Sequence, residues 1–199
     1  AKKENVAQRV VMLAASCPNV SSHSESTSLW LANKLLIEND FKNALDKIYV
    51  KNLETNKEEE IIFTDETVYD SSVSLMQRNR DTDNIYISYS TPKTPSRTFI
   101  YNLKTKEKKL VKEQIIPSGH NSNDYIVERL ECEGHDGRII PITITRKKTT
   151  KLDGNSNLLL YGYGSYGNSM WPSFSSTRLS LIARDIIWAT AHLRGGMEK

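Results

Sequence analysis

The sequence predicts a β-rich region followed by an α/β region. Short apolar runs separated by polar turns recur from Trp30 onward, a pattern typical of antiparallel strands. A block of these runs repeats at an offset of about 50 residues, with residue 35 aligned on residue 85. Near the C-terminus two apolar runs flank a helical pattern, which is the arrangement of a βαβ unit with parallel strands.

Composition narrows the class of protein. The 199 residues are 38% hydrophobic and 26% charged, as in ordinary globular proteins of one or two domains. A net charge of +3 with dispersed lysines argues against nucleic acid as a partner. No apolar run approaches the roughly 18 residues that cross a bilayer, so no membrane partner is expected. Cys17 and Cys132 match no metal spacing and indicate free thiols in a reducing cytoplasm.

The repeated block predicts partial propeller architecture. Strands are predicted at residues 35–37, 47–50 and 60–63, and again at residues 85–87, 97–100 and 110–112. The turn Asn52-Leu-Glu-Thr aligns on Asn102-Leu-Lys-Thr. Antiparallel strands with a period of about 40 to 50 residues suggest propeller blades. Residues 29–121 are therefore assigned to about two blades, which cannot close a ring, and residues 1–28 remain unassigned, although residues 6–15 could form a short helix.

A turn-rich junction at residues 117–124 predicts a domain boundary, so residues 122–199 form the second region. His120 falls in this junction and is expected to be solvated. The Asp136-Gly137 pair predicts a hairpin between strands at residues 124–130 and 138–145.

The βαβ unit comes last in the chain. Residues 158–160 predict a strand buried on both faces. Ser175 to Thr177 offer an N-cap to a helix running through Arg184, with one face formed by Leu179, Ile182 and Ala183. Residues 186–191 predict the second strand, and His192 at its end is expected to be structural.

Residues 161–167, Tyr-Gly-Tyr-Gly-Ser-Tyr-Gly, bear on two glycine motifs. Gly162, Gly164 and Gly167 satisfy G-x-G-x-x-G, so a small nucleotide-binding α/β protein is one alternative. That site needs a helix opening at the third glycine, whereas an irregular stretch with Trp171 and Pro172 intervenes. Ser165 fails the G-x-S-x-G pattern of a nucleophilic serine, which occurs nowhere in the sequence.

Three segments together resemble the prolyl oligopeptidase family of serine peptidases, in particular its oligopeptidase B (protease II) branch. They are residues 161–167, residues 174–181 (Phe-Ser-Ser-Thr-Arg-Leu-Ser-Leu) and residues 194–198 (Arg-Gly-Gly-Met-Glu). The resemblance implies the last blades of a seven-bladed propeller followed by the first strands of an incomplete α/β-hydrolase domain. It also implies hydrolysis of short basic peptides after Arg or Lys, without a cofactor or a metal.

The resemblance further implies roles for two tyrosines. Tyr163 matches the family's oxyanion-hole tyrosine, whose hydroxyl stabilises the developing negative charge. Tyr166 matches an aromatic side chain near the pocket for the residue before the cut. The family's Ser, Asp and His follow the Arg-Gly-Gly loop and are absent from these residues, and Met197 replaces the loop's third glycine. We therefore expect this chain to be a fragment that is inactive on its own. The alternative is a module that complements a separately encoded catalytic chain.

Overall fold

A computed structural model describes residues 28–32, 34–42, 44–75, 82–134, 136–153 and 155–196. The helix predicted at residues 6–15, together with Cys17 and Met197, lies outside these ranges.

The first half of the described chain forms two four-stranded antiparallel sheets, each with its strands in chain order. The strands of the first sheet are β1 (Ser28–Ala32), β2 (Leu35–Lys42), β3 (Leu45–Asn52) and β4 (Glu58–Glu60). Those of the second sheet are β5 (Asp70–Leu75), β6 (Asn84–Ser90), β7 (Arg97–Asn102) and β8 (Lys108–Glu113). Four antiparallel strands in sequential order are the make-up of a propeller blade.

The repeat extends to individual hydrogen bonds at the β3–β4 and β7–β8 turns. The Asn52 side-chain oxygen accepts from the backbone N–H groups of Glu54 at 2.9 Å and Thr55 at 3.0 Å. The Asn102 oxygen accepts from those of Lys104 and Thr105, both at 2.9 Å. An Asn side-chain oxygen that accepts from the N–H groups two and three residues later takes the place of a backbone carbonyl and stabilises the turn. The Asn-Leu-x-Thr match is therefore a structural repeat.

The two sheets share one apolar core. Strand β3 alternates buried and half-buried side chains, as expected for the period of two along a strand. Ile37 and Ile87 occupy equivalent positions in β2 and β6 and are almost fully buried. The other buried members of the core come from both sheets and the segment between them: Ile48, Val50, Ile61, Phe63, Tyr69, Val73, Ile85, Tyr89, Tyr101 and Leu103. Each sheet therefore buries its inner face against the other, as neighbouring blades must.

Sequence reasoning missed one strand in each sheet and misplaced another. The first strands, β1 and β5, were not predicted. The predicted strand at residues 60–63 ends at Glu60. Ile61 still donates its N–H to the Ile48 carbonyl at 2.8 Å, but beyond it the chain leaves the sheet while Phe63 enters the core. Alternating burial therefore continues here without strand pairing.

The second half forms a mixed sheet with the order β11-β12-β10-β9. Its strands are β9 (Tyr125–Glu133), β10 (Ile139–Lys147), β11 (Leu158–Gly162) and β12 (Ile187–Ala191). Strands β9 and β10 form the predicted antiparallel hairpin, and β11 and β12 pair in parallel. Helix α1 (Ser176–Ile182) connects them, and the Ser175 hydroxyl caps it by accepting from the Arg178 N–H at 3.4 Å. The predicted parallel strands joined by a helix are confirmed.

Two details of this βαβ unit were predicted wrongly. Strand β11 is not buried on both faces: Leu158 is 54% and Leu160 62% exposed, and as alternate residues of a strand the two lie on the same face of the sheet. Ala183 is exposed because the helix has already ended at Ile182, whereas Leu179 and Ile182 are buried as expected.

His120 contacts both halves of the chain and is not the solvated side chain that was expected. It is half-buried, and its Nε2 lies 2.6 Å from the Lys93 carbonyl oxygen of the β6–β7 turn. Its ring stacks on Tyr125 and meets the edge of Phe174, with centroids 5.2 and 5.3 Å away. The polar composition of the junction therefore concealed a packed contact between the blade and the mixed sheet.

Candidate active site

The tyrosine turn begins where β11 ends. Gly162, the last residue of β11, is paired with Ala191 of β12, so Tyr163 and His192 follow the same end of two parallel strands. In open α/β sheets, ligands bind beside the residues that follow the carboxyl ends of the parallel strands. Tyr163 is 42% and Tyr166 94% exposed, so both predicted site tyrosines present surface to solvent. Tyr166 has φ of 54°, in the left-handed region that a tyrosine seldom adopts.

The turn is packed tightly against the loop that follows β12. Gly164 has φ of 46°, and a Cβ built there would lie 2.7 Å from the Leu193 Cβ. A Cβ on Gly195 would overlap the Gly164 carbonyl. The Gly167 N–H donates to the Gly195 carbonyl at 3.0 Å, which joins the two segments directly. Glycine is needed at both positions because the two backbones approach each other this closely.

An ion pair connects this loop to the β9–β10 turn. The Arg194 Nη1 lies 2.6 Å from the Asp136 Oδ2. The Arg194 hydrogen bond holds the pKa of the Asp136 carboxyl below its ordinary value. Both side chains are partly exposed, so the pair contributes little to global stability.

His192 is a buried neutral side chain. It is 2% exposed, and its Nε2 lies 2.8 Å from the Thr143 Oγ1. Burial, followed by the nearby positive charge of Arg129, lowers its pKa to about 4, although the Met170 backbone partly opposes this shift. A histidine that is closed off from solvent and bonded to a threonine fits the structural role predicted for it.

Within the described residues, no group of three or more His, Cys, Asp or Glu side chains is placed to hold a metal ion, and no helix is long and apolar enough to cross a membrane. Helix α1 starts at Ser176, well beyond Gly167, so no helix N-terminus opens at the glycine motif as a nucleotide site requires. Both tyrosines were predicted from the sequence of the turn. The Arg194–Asp136 ion pair was not predicted, because its two residues lie far apart in the chain.

Similarity to known proteins agrees with this architecture. Residues 18–114 match the family described as prolyl oligopeptidase, N-terminal beta-propeller domain. Both propeller-type sheets, from Ser28 to Glu113, fall entirely within that range, and resemblance to relatives continues beyond it. The chain belongs to the prolyl oligopeptidase family.

Several relatives match most of this chain. Dipeptidyl aminopeptidase BI of Pseudoxanthomonas mexicana is 36% identical over 157 residues, which are 78% of this chain and 21% of that protein. Protease 2 of Moraxella lacunata is 34% identical over 83% of this chain and 23% of its own length. The solved structure of oligopeptidase B from Trypanosoma brucei with covalently bound antipain superposes with a TM-score of 0.77 at 27% identity, covering 88% of this chain and 26% of that one. The chain thus spans about a fifth to a quarter of the length of these relatives.

Proposed function

We propose that this chain is part of an oligopeptidase B-like serine peptidase that cleaves short peptides after Arg or Lys. Its first two sheets would be blades of the propeller, and its mixed sheet would open the α/β-hydrolase domain. The exposed thiol of Cys132 is compatible with a reducing cytoplasm as the compartment. Among the relatives, the names Protease 2 and oligopeptidase B favour a peptidase that acts on short peptides.

One observation supports the catalytic part of the proposal. The turn that follows β11 presents a partly exposed tyrosine, Tyr163, beside the end of a parallel partner strand. A phenol held at that position can donate a hydrogen bond to the oxyanion formed when a peptide carbonyl is attacked. The strained, exposed Tyr166 three residues later would contact the substrate residue before the cut.

The nucleophile and its base would come from elsewhere. The sequence holds no G-x-S-x-G, and His192 is buried and bonded to Thr143, where it cannot reach a substrate. Without an activated serine, an oxyanion donor supports little peptidase chemistry. The 199 residues alone are therefore expected to be inactive on an arginyl-amide substrate. Turnover that a serine-directed inhibitor abolishes would contradict this expectation.

The role of Tyr163 is tested in an active assembly. The chain is combined with all of Protease 2 that lies outside the matched region, and hydrolysis of an arginyl amide is measured. Replacing Tyr163 by Phe is expected to lower kcat by roughly 100- to 1000-fold, as loss of one oxyanion donor does. Tyr161→Phe is the matched control, because Tyr161 has nearly the same exposure, 43% against 42%, and lies two residues earlier, in the strand that leads into the turn. Equal kcat values for the two variants would refute the assignment.

A complementing module is the second candidate, and the edge of β11 favours it. Leu158 and Leu160 are more than half exposed on a strand whose outer edge has no partner among the described residues. Such an edge accepts another strand through main-chain hydrogen bonds. The occupant would be an extended apolar strand from a separately encoded catalytic chain. Leu160→Lys should weaken assembly with that chain without unfolding the module, because residue 160 is already exposed; unchanged affinity would exclude this edge.

A further inference from the structure

We propose that the segment Leu193–Gly196, with Gly195 at its centre, is a positioning element for the tyrosine turn. This inference rests on the proposed function, because it concerns how that function's oxyanion donor is held. Gly195 does not touch a substrate. It acts through the backbone of the turn that carries Tyr163 and Tyr166.

The first argument is steric. The turn leaves β11 at Gly162 and bends through Gly164, whose carbonyl lies where a side chain on Gly195 would start. On the other side, Leu193 closes the space beside Gly164, with its Cβ 2.7 Å from where a Cβ on Gly164 would lie. The turn is therefore fixed between two neighbours of one loop. Any side chain at residue 195 must displace the backbone adjoining Tyr163 or the loop itself.

The second argument is the hydrogen bonding on the far side of the turn. The Gly195 carbonyl accepts from the Gly167 N–H at 3.0 Å. The turn also closes on itself, since the Asn168 N–H donates to the Ser165 carbonyl at 3.1 Å. The loop thus contacts the turn at two points, one beside Tyr163 and one directly after Tyr166. The strained φ of 54° at Tyr166 needs such external support, because isolated chains avoid it.

The third argument is what holds the loop. The Gly196 N–H donates to the Leu193 carbonyl at 3.1 Å, which folds the loop back on itself. Arg194 between them reaches Asp136 in the β9–β10 turn at 2.6 Å. Three segments that are distant in sequence therefore meet at one point: the hairpin turn, the glycine loop and the tyrosine turn.

The test observes the turn directly and requires no peptidase activity. Tyr163 is replaced by 3-fluorotyrosine in the full chain, and its ¹⁹F resonance is recorded together with hydrogen exchange of the Gly167 amide. Gly195→Ala is expected to move the resonance and to speed exchange at Gly167 by about tenfold. Gly119→Ala is the control for strain introduced away from the turn. Alanine is unfavourable at Gly119 because of its φ of 80°, whereas at Gly195 it is unfavourable because of overlap, and nothing lies within 4 Å of a Cβ on Gly119.

The ion pair provides a second, gentler set of variants, should Gly195→Ala fail to fold. Arg194→Gln and Asp136→Asn should each move the resonance in the same direction, by less, and their combination should add nothing further. Arg194→Lys should restore part of the parent signal.

An unchanged resonance in these variants, or changes that also occur in Gly119→Ala, would overturn the positioning role. Failure of the proposed function would be recognised separately, as equal kcat values for Tyr163→Phe and Tyr161→Phe in an active assembly.

Discussion

Asp46 is expected to make the contact between the two blades sensitive to pH. It lies near the start of β3, is 3% exposed, and accepts a hydrogen bond from the Ser71 N–H of β5 in the other sheet. Burial raises the pKa of this carboxyl from its ordinary 3.8 to about 7; the Ser71 backbone bond opposes the rise and the nearby charge of Asp70 adds to it. The folded chain therefore favours the protonated acid.

The sign and size of the effect follow from this shift. Between the unfolded and folded pKa values the native state binds more protons than the unfolded state, so stability falls as pH rises. Above about 7 the group is ionised in both states and contributes no further change. Between about pH 5 and pH 8 the loss from this one carboxyl is roughly 3 kcal/mol, at 1.36 kcal/mol for each pH unit below the folded pKa of about 7.

Urea unfolding of the parent chain and of Asp46→Asn, followed by circular dichroism across this pH range, measures the effect. The amide is neutral at every pH and keeps an oxygen that can accept from Ser71. We expect Asp46→Asn to be more stable than the parent near pH 8. Its free energy of unfolding should also decline much less than the parent's between pH 5 and pH 8. Asp65→Asn serves as the control. Asp65 is exposed in the segment that connects β4 to β5, and its replacement should leave the pH profile of the parent unchanged. An unaltered pH profile in Asp46→Asn would refute the reasoning.

Three further predictions follow from the contacts described above. Because burial lowers the pKa of His192 to about 4, stability should fall by a few kcal/mol, roughly 2 to 3, as pH drops from about 6.5 to 4; His192→Gln should lack this loss in acid titrations. His120→Ala should cost about 1 to 2 kcal/mol and speed proteolysis at residues 115–121, while His120→Phe, which keeps the ring, should cost less. Asn52→Ala and Asn102→Ala should each cost about 1 kcal/mol by urea unfolding, with a larger cost at Asn102, whose amide also donates to the Asn84 Oδ1 at 2.8 Å; no cost at either site would argue against the turn role.

The repeat was predictable because its signals are local. Asn52 and Asn102 form their turns with residues two and three positions away, so the same letters yield the same hydrogen bonds. Strand β5 was missed because its sequence, Asp-Ser-Ser-Val-Ser-Leu, is rich in serine. A strand of that composition forms only because neighbours pair with it and bury Val73, which is tertiary context.

The candidate site was predictable only in part, for a related reason. The order of apolar runs and the cap at Ser175 define the βαβ unit, and the tyrosines are visible in the letters of the turn. The burial of β11 depends on whether other elements cover its faces, which its own apolar run cannot reveal. His120 stood among polar neighbours in sequence, but two of its contacts, with Lys93 and Phe174, come from large sequence separations.

The open sheet edges have a practical consequence for the isolated chain. Every residue of strand β8 is exposed, and the strand carries Lys108, Lys109 and Lys112; lysines on an edge strand repel the edge of another molecule. Strand β11 carries no charge and offers leucines instead. Concentrated solutions should therefore self-associate through β11 and not through β8, so dilute storage, or a single lysine introduced at residue 160, should keep the protein monodisperse.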